Sequence, residues 1–177
     1  MFHFVEEINI NYIKSLNKKI NIIYRNYNQN YDKKKILLLK KLCKKDGRMF
    51  FLANNYKLVK KFRLDGLYIP SFNKSLIPIN LKKEKNFLLL GSAHNLKEIN
   101  IKKRQMVDII FISPFFKIKK NYKFLGFIKF KILSNLFGKK SIALGGINKN
   151  NFKNLYNSNI FGIASISFFK ETKLKSF

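Results

Sequence analysis

Acidic residues are scarce in this chain. Its 177 residues hold 9 Asp+Glu against 37 Lys+Arg, a formal net charge of +28 at pH 7. So thin a carboxylate inventory disfavours hydrolysis by paired carboxylates and a divalent site built on protein carboxylates. Cysteine is scarcer still. Cys43 stands alone, which excludes an intramolecular disulfide and a cysteine-rich metal site. It sits in "LLLKKLCKKD" at helical spacing and reads as a small core residue. No apolar run approaches the ~18 residues of a membrane span. "MFHFVEEINI" lacks the positive start and apolar core of a signal peptide, so the chain is expected to be cytoplasmic. Internal repeats and low-complexity linkers are absent too.

What is present is a large apolar fraction. Hydrophobic residues make up 46% and aromatics 15%, which argues against disorder and for one domain over residues 1–177 with a sizeable core. The positive excess has two readings. Such a field favours polyanions, nucleic acid foremost. A Lys-, Asn- and Ile-rich composition is also what an AT-rich genome would produce everywhere. The aromatics lie inside predicted strands and helices, not on a surface stripe with lysines, and no RNA-binding motif is present. Nucleic-acid binding is therefore the weaker reading.

Eight short apolar runs recur: "FHFV" (2–5), "NIIYR" (21–25), "MFFLAN" (49–54), "GLYIP" (66–70), "FLLLGSA" (87–93), "DIIFISP" (108–114), "SIALGG" (141–146) and "FGIASIS" (161–167). They are uninterrupted rather than alternating, the pattern of strands buried on both faces of a parallel sheet. Between them lie Lys-rich stretches with 3–4 spacing. "DKKKILLLKKLCKKD" sets Ile36, Leu37, Leu39 and Cys43 on neighbouring faces, and "YKLVKKFRL", "LGFIKFKILSNLF" and "KNNFKNLYNSN" repeat the pattern. Alternating strands and helices imply right-handed βαβ units, and eight strands imply a compact (β/α)₈ TIM barrel with shortened helices. Residues 6–20 and 71–86 look too irregular for full helices. The tail "KETKLKSF" is expected to fray or to close the barrel as a last short helix. An open doubly wound sheet is the rival architecture.

Function in such barrels collects at the C-terminal strand ends. That rule gathers Arg25; Asn54 and Asn55; Pro70, Ser71 and Asn73; Ser92 and His94; Ser113 and Pro114; Gly145 and Gly146; Ser165 and Ser167 at one rim. The loops after strands seven and eight are the recurrent phosphate site, and there fall "ALGGI" and "GIASIS". Amides from both turns would converge on one phosphate, with the glycines leaving room. Asp65 and Asp108 begin strands and belong to the opposite rim. Glu6, Glu7, Asp32, Asp46, Glu84, Glu98 and Glu171 fall at helix edges or in loops. His94 reads as a turn residue or a base, and His3 as structural.

These residues carry a resemblance. "ALGGINKNNF" resembles an A-x-G-G-I-x-x-x-N segment, "FGIASISFF" a closing G-x-A-V-x-S, and "LDGLYIP" an A-D-G-V-H-L. "GSAHNLKEI" resembles G-x-S-x-H-x-x-x-E, "VDIIFISPFF" A-D-Y-x-x-x-G-P-x-F, and "FLG" P-L-G, while "IIYRNYN" takes the place of Q-L-R-x-K. In this order they resemble the thiamine phosphate synthase and thiazole tautomerase (TenI-like) family over nearly the whole chain. The resemblance implies a transferase that joins hydroxymethylpyrimidine diphosphate to thiazole phosphate, giving thiamine phosphate and pyrophosphate. It puts Arg25 on the diphosphate, Ser92 beside the pyrimidine diphosphate and Asn54 at the third strand. Gly146, with Gly145 beside it, and the Ile166-Ser167 backbone would hold the thiazole phosphate. The departures concern the diphosphate half. Ile23 and Tyr27 stand where the family has Gln and Lys, and Ile118, Lys119, Lys120 and Asn121 stand where it has Thr-x-Thr-Lys. The family's two Mg²⁺-binding aspartates fall on Asn55 and Asn73, so Mg²⁺ binding is weakened. The alternative is a non-catalytic or tautomerase-like relative that binds a phosphorylated thiazole or thiamine ligand. The partner is a phosphorylated small molecule in either case; oligomeric state has no signature.

Overall fold

The computed structural model describes residues 1–28, 31–76, 86–118, 123–155 and 160–171. Eight strands form from the eight apolar runs: β1 (Phe2–Val5), β2 (Asn21–Tyr24), β3 (Phe50–Ala53), β4 (Gly66–Ile69), β5 (Leu88–Ala93), β6 (Ile109–Ile112), β7 (Lys140–Leu144) and β8 (Gly162–Ser165). Each pairs in parallel with its sequence neighbour. β8 returns to β1 through Phe2↔Ala164 and His3↔Ser165, closing the barrel. The (β/α)₈ architecture holds, and the open sheet is excluded because the strand order never reverses.

Burial on both faces explains the continuous apolar runs. One set of side chains fills the lumen: Phe2, Phe4, Ile23, Phe51, Tyr68, Leu90, Phe111 and Ile142. Its rings meet edge-on or tilted, as in Phe2–Phe111 at 5.3 Å and Phe4–Tyr68 at 5.1 Å between centroids. That geometry suits aromatic quadrupoles. Rings this large need small neighbours, supplied by Ala53, Ala164 and Gly66. A Cβ on Gly66 would lie 2.0 Å from the Leu88 carbonyl oxygen and 2.8 Å from the Phe51 ring. The alternate side chains, among them Ile22, Phe50, Leu52, Leu67, Ile110 and Ile163, pack outward against the helices. At the N-terminal rim the Asp65 carboxylate accepts the Phe50 amide at 2.7 Å and Asp108 the Leu89 amide at 2.8 Å. Each carboxylate thereby fixes the start of the neighbouring strand.

The helices are short: α1 (Ile10–Ser15), α2 (Lys33–Asp46), α3 (Tyr56–Phe62), α4 (Leu96–Arg104), α5 (Gly126–Phe137) and α6 (Phe168–Glu171). The side chains of Asn9, Asp32, Asn55 and Asn95 cap the first four, each accepting an amide of the first turn. These bonds satisfy donors a helix start leaves unpaired. Ile36, Leu39 and Cys43 are buried on α2 as the spacing requires, but Leu37 turns outward and is 41% exposed. The helix expected in "KNNFKNLYNSN" does not form within the described residues; only a 3₁₀ turn, Phe152–Leu155, is present. Asparagine side chains take its backbone donors first. Asn148 Oδ1 accepts the amides of Asn150 and Asn151, and Asn151 Oδ1 accepts that of Asn148, the local competition that disfavours helix. Within 6–20 only the six-residue α1 is helical. Residues 77–85 of the irregular 71–86 connection and 172–177 of the tail lie outside the described residues. Among those described, no helix is long and apolar enough to cross a membrane.

Candidate functional site

A cleft of about 720 Å³ opens at the C-terminal rim, lined from the ends of β2, β4, β5, β6, β7 and β8. Of the residues named from sequence, Arg25, Ser92, Gly145, Gly146, Ile166 and Ser167 all line it; Asn54, Asn55 and Asn73 do not. Tyr27, which stands where the resemblance has Lys, lines it too, as do Tyr68, Phe72 and Lys117, which the strand-end rule does not pick out. Tyr68 stands where the resemblance has histidine, which was the available signal.

Tyr68 and Ser92 make the floor. The Tyr68 hydroxyl donates to Ser92 Oγ at 2.9 Å, and burial pushes the phenol well above its ordinary range. Tyr68 therefore stays a protonated donor, and Ser92 keeps its own proton for a ligand. Tyr68→Phe is expected to cost about 1 kcal/mol, read as a lower denaturant midpoint at an unchanged slope. Beside the floor, His94 Nδ1 lies 2.8 Å from the Ser113 carbonyl oxygen. That bond fixes the proton on Nδ1 and leaves Nε2 as the acceptor of the neutral ring. The His94 amide donates to Glu98 Oε2 at 2.7 Å, so the residue also organises the start of α4. His3 is buried between strand and helices, with Nδ1 3.0 Å from the Ser165 carbonyl and Nε2 2.9 Å from the Tyr12 hydroxyl. It ties β1 to the end of β8.

The glycine pair forms one wall. Both residues adopt left-handed backbone, φ +93 for Gly145 and φ +73 for Gly146, a region L side chains rarely enter. The loop after β6 presses against them. Phe115 and Phe116 donate their amides to the carbonyls of Leu144 and Gly145 at 2.8 and 3.0 Å. A Cβ on Gly146 would sit 2.6 Å from the Phe116 carbonyl oxygen. Asn151 Nδ2 donates to the Gly146 carbonyl at 2.8 Å, which engages that acceptor within the protein. Across from it, Ser165 Oγ accepts the Phe168 amide. Among the described residues, the amides of Gly146, Ile147, Ile166 and Ser167 have no protein acceptor. The two turns line one cleft and leave donors unspent, the arrangement that receives an anion.

Arg25 lines the same cleft as these turns. Its guanidinium lies 5.6 Å from the ring centroids of both Phe4 and Tyr27, and Nη2 donates to Glu6 Oε1 at 2.5 Å. Glu6 lies in the loop that directly follows β1, at the C-terminal rim.

The positions matched to metal ligands are otherwise engaged. Asn55 Oδ1 caps α3 by accepting the Leu58 amide at 3.0 Å. Asn73 Nδ2 donates to Asn54 Oδ1 at 2.5 Å, and Asn73 Oδ1 accepts the Ser75 amide at 2.8 Å. Each amide oxygen is in use and none carries charge. Among the described residues no group of three or more His, Cys, Asp or Glu gathers to hold a metal. These residues do not fit Mg²⁺, a hard cation held by carboxylates together with phosphates. Ile118 lines the cleft; Lys119, Lys120 and Asn121 lie outside the described residues.

Comparison with known proteins bears on the family and the fold. A thiamine-phosphate synthase of Prochlorococcus marinus subsp. pastoris is 28% identical over 153 residues, covering 84% of this chain and 44% of its own length. A putative thiamine-phosphate synthase 2 of Aquifex aeolicus is 29% identical over 133 residues, covering 73% of this chain and 70% of its own. This chain thus spans less than half of the first relative. Among solved structures, a thiamine phosphate pyrophosphorylase from Pyrococcus furiosus superposes with a TM-score of 0.68 at 16% identity, covering 94% of this chain and 84% of that one. The N-(5'-phosphoribosyl)anthranilate isomerase of Pyrococcus furiosus reaches 0.64 at 9% identity, covering 95% and 88%. At such identities the likeness is one of fold. The sequence model of thiamine monophosphate synthase matches residues 14–169, from α1 to α6, and with that span the chain belongs to the thiamine monophosphate synthase family.

Proposed function

We propose that this barrel joins hydroxymethylpyrimidine diphosphate to thiazole phosphate, forming thiamine phosphate and pyrophosphate. The observation that carries the reading is the meeting of the β7 and β8 turns, with unspent amides, in a cleft that also contains Arg25. The thiazole phosphate would lie on the amides of Gly146, Ile147, Ile166 and Ser167. The pyrimidine would rest over the Tyr68–Ser92 floor with its diphosphate toward Arg25 and Lys117. The carbon–oxygen bond to the diphosphate breaks heterolytically and pyrophosphate leaves with the electron pair. The thiazole nitrogen then donates its lone pair to the pyrimidinylmethyl carbocation. Preorganised donors aimed at the leaving oxygens supply the stabilisation such a step needs.

The test is formation of thiamine phosphate from the two phosphorylated precursors, read by chromatography with EDTA and with added Mg²⁺. Product is expected in both, with modest stimulation by Mg²⁺ arriving on the diphosphate. The Asn54–Asn73 amide pair favours a second reading, a relative that binds the phosphorylated ligand without turnover. That outcome would show as thermal stabilisation by thiazole phosphate with no product under either condition.

A further inference from the structure

The loop after β4 is held from behind by a buried cation. Lys102 on α4 is fully buried, and its ammonium donates to the carbonyls of Pro70 at 2.8 Å and Asn73 at 2.9 Å and to Gln105 Oε1 at 2.8 Å. Three protons meet three acceptors, which is what a buried ammonium requires. Gln105 completes the grip, with Nε2 donating to the carbonyls of Asn73 at 3.0 Å and Ser75 at 2.7 Å. Burial lowers the Lys102 pKa to about 8, so at pH 7 the ammonium keeps its proton. Gly91 leaves the stem room to pass, since a Cβ there would lie 3.0 Å from Lys102 Cδ. None of the three acceptors carries charge. A lysine so placed costs solvation that an apolar side chain would not, and the stability of the helix gives no reason for it.

The loop it grips is a wall of the cleft. Pro70, Ser71 and Phe72 line the cavity. The Phe72 ring meets Tyr27 edge-on at 5.3 Å, and Tyr27 lies against Arg25. Asn73 in turn holds Asn54. A contact path therefore runs from the Lys102 ammonium through the loop to the guanidinium opposite the phosphate turns.

We propose that Lys102, seconded by Gln105, is a positioning residue for the ligand cleft: the protein's own cation holds the β4 loop where the family resemblance places a metal-binding aspartate. The effect on affinity rests on the reading that the cleft takes a phosphorylated ligand; the hold on the loop does not.

The test uses the full chain at pH 7 in EDTA, with inorganic pyrophosphate as the calorimetric probe and hydrogen exchange of residues 70–76 as the second readout. Lys102→Met is expected to weaken pyrophosphate binding by about tenfold, the size of one charge-assisted hydrogen bond. Exchange in 70–76 should quicken by a similar factor while strands β1–β3 keep their protection. Gln105→Leu, which retains the ammonium, should give the same pattern in smaller measure and serves if Lys102→Met does not fold. Unchanged exchange in 70–76 overturns the proposal, as does wild-type pyrophosphate affinity in a variant whose loop is loosened. If the unmodified chain binds no pyrophosphate, the phosphate reading of the cleft fails, and the exchange result still decides the clamp.

Discussion

Arg25→Ala is expected to lower thiamine phosphate formation by about 10²–10³-fold, the loss typical of removing one preorganised donor from developing anionic charge. The geometry makes this residue more than one positive charge among 37. The end of β2 anchors its backbone, the Arg25 amide donating to the Val5 carbonyl at 2.8 Å, and Phe4 and Tyr27 flank its planar head. A flat, confined fork can bind a diphosphate bidentately, which an ammonium does not, so Arg25→Lys should recover only part of the activity. Glu6 complicates the simple variant. Under the proposed function, removal of Arg25 would leave the Glu6 carboxylate uncompensated beside the cleft, where it would repel an anionic substrate. The double variant Arg25→Ala/Glu6→Gln separates the two effects: a partial return of rate assigns the recovered fraction to repulsion and the remainder to the lost fork. Glu6→Gln alone should bind diphosphate more tightly than the unmodified chain, since Arg25 then has no carboxylate to leave. Steady-state rates of the four proteins check this, and undiminished turnover by Arg25→Ala would remove Arg25 from the site.

The barrel was legible in the sequence because strands buried on both faces cannot hide. Each one writes an unbroken apolar run, and all eight runs became strands. The tight turn after β7 was legible for a related reason: a glycine pair ending such a run needs a backbone cause, and both glycines adopt positive φ. Helices were read less well. Their amphipathic signal was shared by "KNNFKNLYNSN", where asparagine side chains claimed the backbone donors first. Pairings distant in sequence were not legible at all. Glu6 and Arg25 lie 19 positions apart and Lys102 and Pro70 lie 32 apart; no local pattern marks either pair. One signal was there to use. The carboxylates sit at positions 6, 7, 32, 46, 65, 84, 98, 108 and 171, so the whole stretch 109–170 has none. That stretch carries β6 to β8, α5 and both turns proposed to hold a phosphate. The excess of lysine has a compositional and a functional reading, but the missing carboxylates leave the β6–β8 side of the barrel with no acidic residue of its own. Coulomb repulsion of a phosphate bound there would accordingly be small.

Gly146→Ala should be the most damaging small substitution at the rim, and the fold contains its own control. Gly47 ends α2 with φ +68, and a Cβ added there would meet nothing within 4 Å, whereas Gly146 has φ +73 and the carbonyl groups of Phe116 and Lys117 within 2.8 Å. Alanine at position 47 therefore meets only the left-handed penalty, roughly 1–2 kcal/mol. At 146 it meets that penalty and a backbone collision that no side-chain rotation relieves, so about 3 kcal/mol or more is expected. At about 2–4 °C per kcal/mol for a chain of this size, thermal unfolding distinguishes the two variants readily. Gly145→Ala should fall between them, because its Cβ would approach Pro114 at 3.1 Å rather than 2.6 Å. The functional effect should exceed the loss of stability. Relief of the collision requires the β7 turn to leave the β6 loop, and the Gly146 and Ile147 amides move with it. Binding of thiazole phosphate by the folded fraction should then fall at 146 and stay unchanged at 47. Equal unfolding temperatures for the two alanine variants would mean that the β6 loop yields freely. In that case the glycine pair serves only to turn the chain, and the unspent amides beside it are not held in place for a phosphate.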